Sequence, residues 1–108
     1  MLSKIEEILL LMVCKLADEA FAMQIREEVK ELTGKPYSIG GIYVPLDRMV
    51  KRGWLTMQDL PGEAKRMGRP RRKYLITAEG LRLLKESHEL QSKMWNLPEG
   101  IINKIMLS

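Results

Sequence analysis

The sequence predicts a mainly α fold of the α+β class, with helices along most of its length and one two-stranded β-hairpin between them. Three observations predict it. Apolar residues recur at spacings of three and four through the first fifty positions. Two short runs of strand formers flank a tip that carries glycines and prolines. A long C-terminal run shows two apolar stripes where a helix packed only on its own core needs one. The 108 residues make one domain, and with 45% hydrophobic and 30% charged residues there is enough apolar material for one core.

Taken in order, Leu2, Ile5, Ile8, Leu9, Met12, Val13 and Leu16 mark one face of a helix over residues 2–16. Phe21, Ile25, Val29 and Leu32 repeat the pattern, so a second helix is expected over 21–32, ending where Gly34 can take the left-handed cap conformation. Ser38 is the N-cap of a third helix, with Ile39, Ile42, Leu46, Met49 and Val50 as its inner face and Gly53 as its end. Pro45 lies inside that helix and is expected to bend or loosen its first turns, because it removes a backbone donor.

Strands are predicted over 54–57 and 73–77. Between them, residues 58–72 form the tip, with Pro61, Gly62, Gly68 and Pro70 beside the basic Lys65, Arg66, Arg69, Arg71 and Arg72. Thr77 caps a long helix to about residue 95. One of its stripes is Leu81, Leu84, His88, Gln91 and Trp95, and the other is Leu83, Leu90, Met94 and Leu97. The second stripe implies a partner surface, most economically the same helix of another subunit. Pro98 to Gly100 can open a short terminal helix through Ile101, Ile102, Ile105 and Met106.

Helix, helix, helix, strand, basic tip, strand is the order of a winged helix-turn-helix, whose third helix enters the major groove of double-stranded DNA. Residues 1–77 are expected to form the DNA-binding part. Residues 78–108 supply a long dimerisation helix and the short terminal helix of the same continuous domain. Charge agrees with this division: residues 1–34 carry a net −3, 35–73 a net +7 and 74–108 a net 0. A cationic centre between acidic and neutral flanks suits a polyanion.

Other classes find little support. One cysteine, Cys14, excludes an internal disulfide, and one histidine, His88, cannot build a zinc site within one chain. No nucleophile elbow, phosphate-cradling loop or ligand spacing is present, so neither catalysis nor a cofactor is expected. The longest apolar run, residues 8–14, is far below the roughly 20 residues of a membrane span. Glu6 and Glu7 stand where a signal peptide is basic, and the chain is expected in the cytoplasm, on the nucleoid when bound to DNA.

Three ordered stretches carry a resemblance. Ser38-Ile39-Gly40-Gly41-Ile42-Tyr43, followed by Leu46, Arg48, Met49 and Gly53-Trp54-Leu55, is similar to the recognition segment of the PadR family of transcriptional regulators. Gly68-Arg69-Pro70-Arg71-Arg72-Lys73-Tyr74-Leu75-Ile76-Thr77-Ala78-Glu79-Gly80 resembles its wing, and residues 21–25 stand where it has Tyr-Gly-Tyr-Glu-Ile. The departures are Gly41 for a usual threonine, Pro45 one position late, and Phe21 and Met23 for two tyrosines. They put in doubt a hydroxyl contact at the third helix and phosphate contact near the second.

The resemblance implies a homodimer on a pseudo-palindromic operator, with two third helices about 34–36 Å apart. On that helix Ser38, Gly40, Gly41, Tyr43, Val44, Asp47 and Lys51 are the candidate DNA contacts. Tyr43 leads them, with a core position beside Leu46 as its other reading. Arg48 falls between the inner positions Leu46 and Met49 and is expected on the buried face or in an intramolecular ion pair, not as a base reader. On the wing Arg69, Arg71 and Arg72 can enter the minor groove or grip phosphates, with Lys35, Lys65 and Arg66 neutralising phosphates nearby. A solvated loop is the other reading of the wing.

Multidrug-responsive members of the family hold a flat apolar ligand between the dimer helices. The corresponding surface here is Met12, Leu83, Leu84, His88, Leu90, Met94, Trp95 and Leu97, as ordinary subunit packing or as a ligand cavity. The expected function is a homodimeric repressor released by a small apolar or aromatic ligand. A winged-helix protein interaction module with a basic face and no specific operator is the alternative.

Overall fold

The protein was described as a computed structural model covering residues 1–61 and 71–107. Its elements are α1 (Lys4–Leu16), a 3-10 turn (Ala17–Glu19), α2 (Ala22–Thr33), α3 (Ile39–Lys51), β1 (Leu55–Leu60), β2 (Arg71–Ile76), α4 (Ala78–Met94) and α5 (Ile101–Met106). Each of α1, α3 and α4 starts at a hydroxyl. The Ser3 side chain accepts the Glu6 N–H at 3.2 Å while Glu6 Oε1 accepts the Ser3 N–H at 2.8 Å, a reciprocal cap that starts α1 at Lys4 and leaves Leu2 outside. Ser38 accepts the Gly41 N–H at 2.9 Å, and Thr77 accepts the Gly80 N–H at 3.1 Å. α2 ends as expected, with Gly34 left-handed at φ 71° and its N–H on the Lys30 carbonyl at 2.8 Å.

Two expectations about helix faces are corrected. Ile39 is 39% exposed, because the first turn of α3 lies ahead of the point where the helix meets the core, and Leu32 is exposed at the far end of α2. Pro45 is buried and α3 runs through it without a break. The carbonyl left without its donor is that of Gly41, an exposed residue where water can serve it. The core collects Leu9, Leu10, Val13, Ile25, Val29, Ile42, Leu46, Met49, Leu55, Tyr74 and Leu84, from all four long helices and both strands.

β1 and β2 pair antiparallel in the register Leu55↔Ile76 to Leu60↔Arg71. Both strands run longer than expected, taking in Gln58, Asp59 and Leu60 on one side and Arg71 and Arg72 on the other. Arg71 and Arg72 therefore sit on strand and not on the tip. Cross-strand attraction between Asp59 and Arg72, at 3.0 Å, holds that extension together. The hairpin is also tied to the turn before α2, where the Tyr74 N–H reaches the Ala20 carbonyl at 3.0 Å and Phe21 bridges to Lys73.

α4 begins inside this body. A Cβ at Gly80 would lie 2.2 Å from the Trp54 carbonyl oxygen, so only glycine permits that approach. Gly80 and Leu84 are the buried residues of α4, and one turn further its contact with α1 is polar. Glu7 Oε2 accepts the Ser87 hydroxyl at 2.6 Å and the Gln91 amide at 2.5 Å. Beyond Gln91 the helix and α5 project as an arm. The molecule measures 58 × 29 × 21 Å, and its radius of gyration of 17.1 Å exceeds the about 13 Å of a compact chain this long.

Candidate nucleic-acid interface

The outward face of α3 is nearly bare of side chains at its start. Gly40 and Gly41 are exposed there, and Val44 and Lys51 continue the exposed face one and three turns on. Backbone and one branched apolar side chain can enter a groove closely, and Lys51 adds a charge at the end. Tyr43 satisfies both of its readings in part, half-buried against the core with its ring centroid 6.0 Å from the Arg72 guanidinium. Asp47 is half-buried too, and Arg48 is exposed.

Beside this face stands the hairpin. Arg72 is held by two carboxylates, Asp59 on the neighbouring strand at 3.0 Å and Asp47 on α3 at 3.6 Å. Asp47 Oδ1 also accepts the Tyr74 hydroxyl at 3.1 Å. Burial and the Asp47 carboxylate push the Tyr74 phenol well above its ordinary value, so it remains a donor at any working pH. The Asp59 hydrogen bond likewise holds the Arg72 guanidinium firmly protonated. Arg71 lies over the Phe21 ring, 3.7 Å from its centroid. Lys65, Arg66 and Arg69 lie outside the described residues.

Among the described residues, several cations of the basic segment already face a carboxylate. Within 35–73, Arg52 pairs with the buried Glu6 at 3.1 Å and stands 5.1 Å over Trp54, and Lys73 reaches Asp18 at 3.5 Å. Lys35, Arg48 and Lys51 are exposed. Lys35 stands in the α2–α3 loop, which Arg26 fixes by donating to the Tyr37 carbonyl at 2.7 Å. Arg48 adds its field to that of Arg52 on Glu6. Burial pushes that carboxyl up, yet the Ser3 hydrogen bonds and the two arginines outweigh it and hold it below the ordinary value.

Sequence reasoning missed Asp59, Tyr74, Glu6 and Arg52 as members of these clusters. For Asp59 a signal existed, since a hairpin of that register sets it opposite Arg72. Glu6 gave none, because its burial depends on where α3 ends.

The C-terminal surface is apolar but differs from the expected one. Met12 is 3% exposed and Leu84 7%, so both belong to the core and not to an outer surface. Leu90, Met94, Trp95 and Leu97 are exposed, Trp95 at 70%. His88, also exposed, borders a cleft of about 140 Å³ with Glu7, Leu11, Leu84 and Gln91. A second cleft, of about 230 Å³, lies between Leu2 of the N-terminus and Leu83 and Leu90 of α4. A wholly apolar one of about 270 Å³ is lined by Leu97, Ile101, Ile102, Ile105 and Met106. Among the described residues no group of His, Cys, Asp or Glu is placed to hold a metal ion, and no helix is long and apolar enough to cross a membrane.

This geometry joins a bare recognition helix to a two-stranded wing, and the sequence match agrees with it. The family model of the PadR-like transcriptional regulators matches residues 10–86. The chain belongs to that family. The PadR-like fold extends to solved structures across its length. The Thermoplasma acidophilum protein TA0346 superposes with a TM-score of 0.66 at 24% identity, covering 98% of each chain. A PadR-like transcription factor from Bacteroides fragilis superposes at 0.69 and 24%, covering 94% of this chain and 88% of its own. A PadR family regulator from Eggerthella lenta gives 0.65 and 23%, covering 81% and 73%. No curated protein matches the sequence. As a PadR-like protein the chain is a DNA-binding regulator of transcription with a winged-helix fold.

Proposed function

We propose that this PadR-like chain is a sequence-specific repressor that works in the cytoplasm as a homodimer, with residues 1–77 on DNA and 78–108 joining the subunits. The observation that carries the reading is the arm. α4 spans 17 residues and buries only Gly80 and Leu84, while Leu90, Met94, Trp95 and Leu97 stand in solvent. An apolar helix face of that length is stable when a second copy covers it. Two copies joined there would present two α3 helices to successive major grooves of a pseudo-palindromic operator.

Gly40, Gly41, Tyr43, Val44 and Lys51 would meet base edges or sugars, with Ser38 at the helix start. Arg69, Arg71, Lys65, Arg66 and Lys35 would serve the backbone. A small apolar or aromatic effector seated against Met94, Trp95 and Leu97, beside His88, Leu83 and Leu90, would alter the angle between the arms and so release the operator. Its test is a salt titration of binding to a fragment of the protein's own promoter against random duplex. A preference of about a thousandfold or more is expected. Equal binding to both duplexes would overturn sequence specificity and favour a protein interaction module with a basic face.

A further inference from the structure

The seam between α3 and the hairpin encloses an open cleft of about 350 Å³ bounded by Tyr43, Asp47, Asp59 and Arg72. It holds one guanidinium and two carboxylates, a local charge of −1 in a segment whose net charge is +7. Two of the three acidic residues of that segment converge on this one arginine. The cleft lies on the side of α3 next to the wing, where a DNA backbone would pass.

Asp47 has a structural duty in accepting the buried Tyr74 hydroxyl at 3.1 Å, but stability is a weak reason for setting two carboxylates on one arginine. The three side chains are 31–46% exposed, and ion pairs in that setting contribute little to folding. Phosphate capture is a weaker one. A cation already facing two carboxylates within 3.6 Å offers a phosphate little field, and the carboxylates themselves repel it. A surface selected only for grip on polyanions would lack them.

We propose that Asp47 and Asp59 mask Arg72, so that the helix–wing seam adds nothing to the grip on DNA of any sequence. Generic affinity comes mostly from phosphate contacts, and each contact withheld lowers it for every sequence alike. A regulator that keeps one arginine out of that pool spends less time on random duplex. The inference rests on the DNA-binding reading above and concerns how strongly that surface holds DNA of any sequence.

The experiment is a salt titration on random duplex, which requires no knowledge of the operator. The Asp47→Asn, Asp59→Asn double variant keeps shape and hydrogen-bonding capacity, and Asp59→Asn alone, at an exposed strand position, serves where the double variant melts early. The double variant is expected to bind random duplex about tenfold more tightly at 0.1 M salt, with a salt slope steeper by about one. Adding Arg72→Met should remove the gain. Unchanged or weaker binding by the double variant would overturn the proposal, and so would a gain that survives Arg72→Met. A wild-type chain that binds no duplex even at low salt would remove the DNA-binding reading itself. Wild-type binding with an unaltered variant would remove this inference alone.

Discussion

The body made of α1, α2, α3 and the hairpin differs from the arm made of late α4 and α5 in what each does with its apolar residues. In the body Leu9, Leu10, Ile25, Val29 and Leu46 have no solvent contact. In the arm Met94, Trp95, Ile105 and Met106 are mostly in solvent, although the sequence is no less apolar there. The body closes on itself, whereas the arm carries a surface that a single chain leaves uncovered. Between them lies a junction of two kinds: a tight apolar one at Gly80 and Leu84, and a polar one where Glu7 holds Ser87 and Gln91. One chain thus contains a finished core and, outside it, an apolar surface left in solvent.

That contrast can be broken most directly in the body. Leu46→Ala should lower unfolding free energy by roughly 2–5 kcal/mol in denaturant titration, since the cavity opens among residues from three helices. Met94→Ala, measured below the association concentration, should change it little. Gly80→Ala tests the junction. With a backbone oxygen 2.2 Å from the new carbon, α4 must shift, and a loss of about 1–3 kcal/mol is expected, together with altered arm geometry in solution scattering.

The outer face of α4 ahead of the arm is tested by Leu83→Glu with Leu90→Glu. Sedimentation should show a monomer whose helicity is nearly unchanged, and a variant that stays dimeric would deny that face its role in joining subunits. The smallest expected effect is that of acid. Glu7 is held below its ordinary value of 4.5, first by the Ser87 hydroxyl against the push of burial, then by Lys4 and Gln91. Glu6 is also held low. Carboxyls lowered in the folded state contribute stability fully above about 4.5, and that contribution is lost as pH falls through their folded values. The melting temperature should therefore hold from neutrality to about pH 5 and decline below it, less steeply in Glu7→Gln.

What could be read from the sequence follows the range of the interaction that decides it. Ser38 and Thr77 were readable because a cap involves neighbours three residues away, and Gly34 because a left-handed end needs only itself. The order of helices and strands predicts the winged helix, and the motifs around Tyr43 and Tyr74 carry the family resemblance. Ile39 was misplaced because periodicity gives a face but not the turn at which that face first meets a neighbour. Met12 was assigned outward for the same reason, α1 being covered on more than one side. The fate of the basic residues was least readable. Arg72 counts as a cation in any tally, yet strand register and the position of α3 decide that two carboxylates hold it.

The bond from the Tyr74 N–H to the Ala20 carbonyl has a consequence for synthesis. The earliest helices to leave a ribosome cannot complete their packing by themselves, because Tyr74 and Leu84, both core residues, are translated near the far end of the chain. Until they emerge, the faces of α1 and α2 that await them stay open, and nascent chains on one messenger could adhere through those faces. The first 34 residues, seven acidic and four basic, carry a net −3 that opposes such contact during that interval.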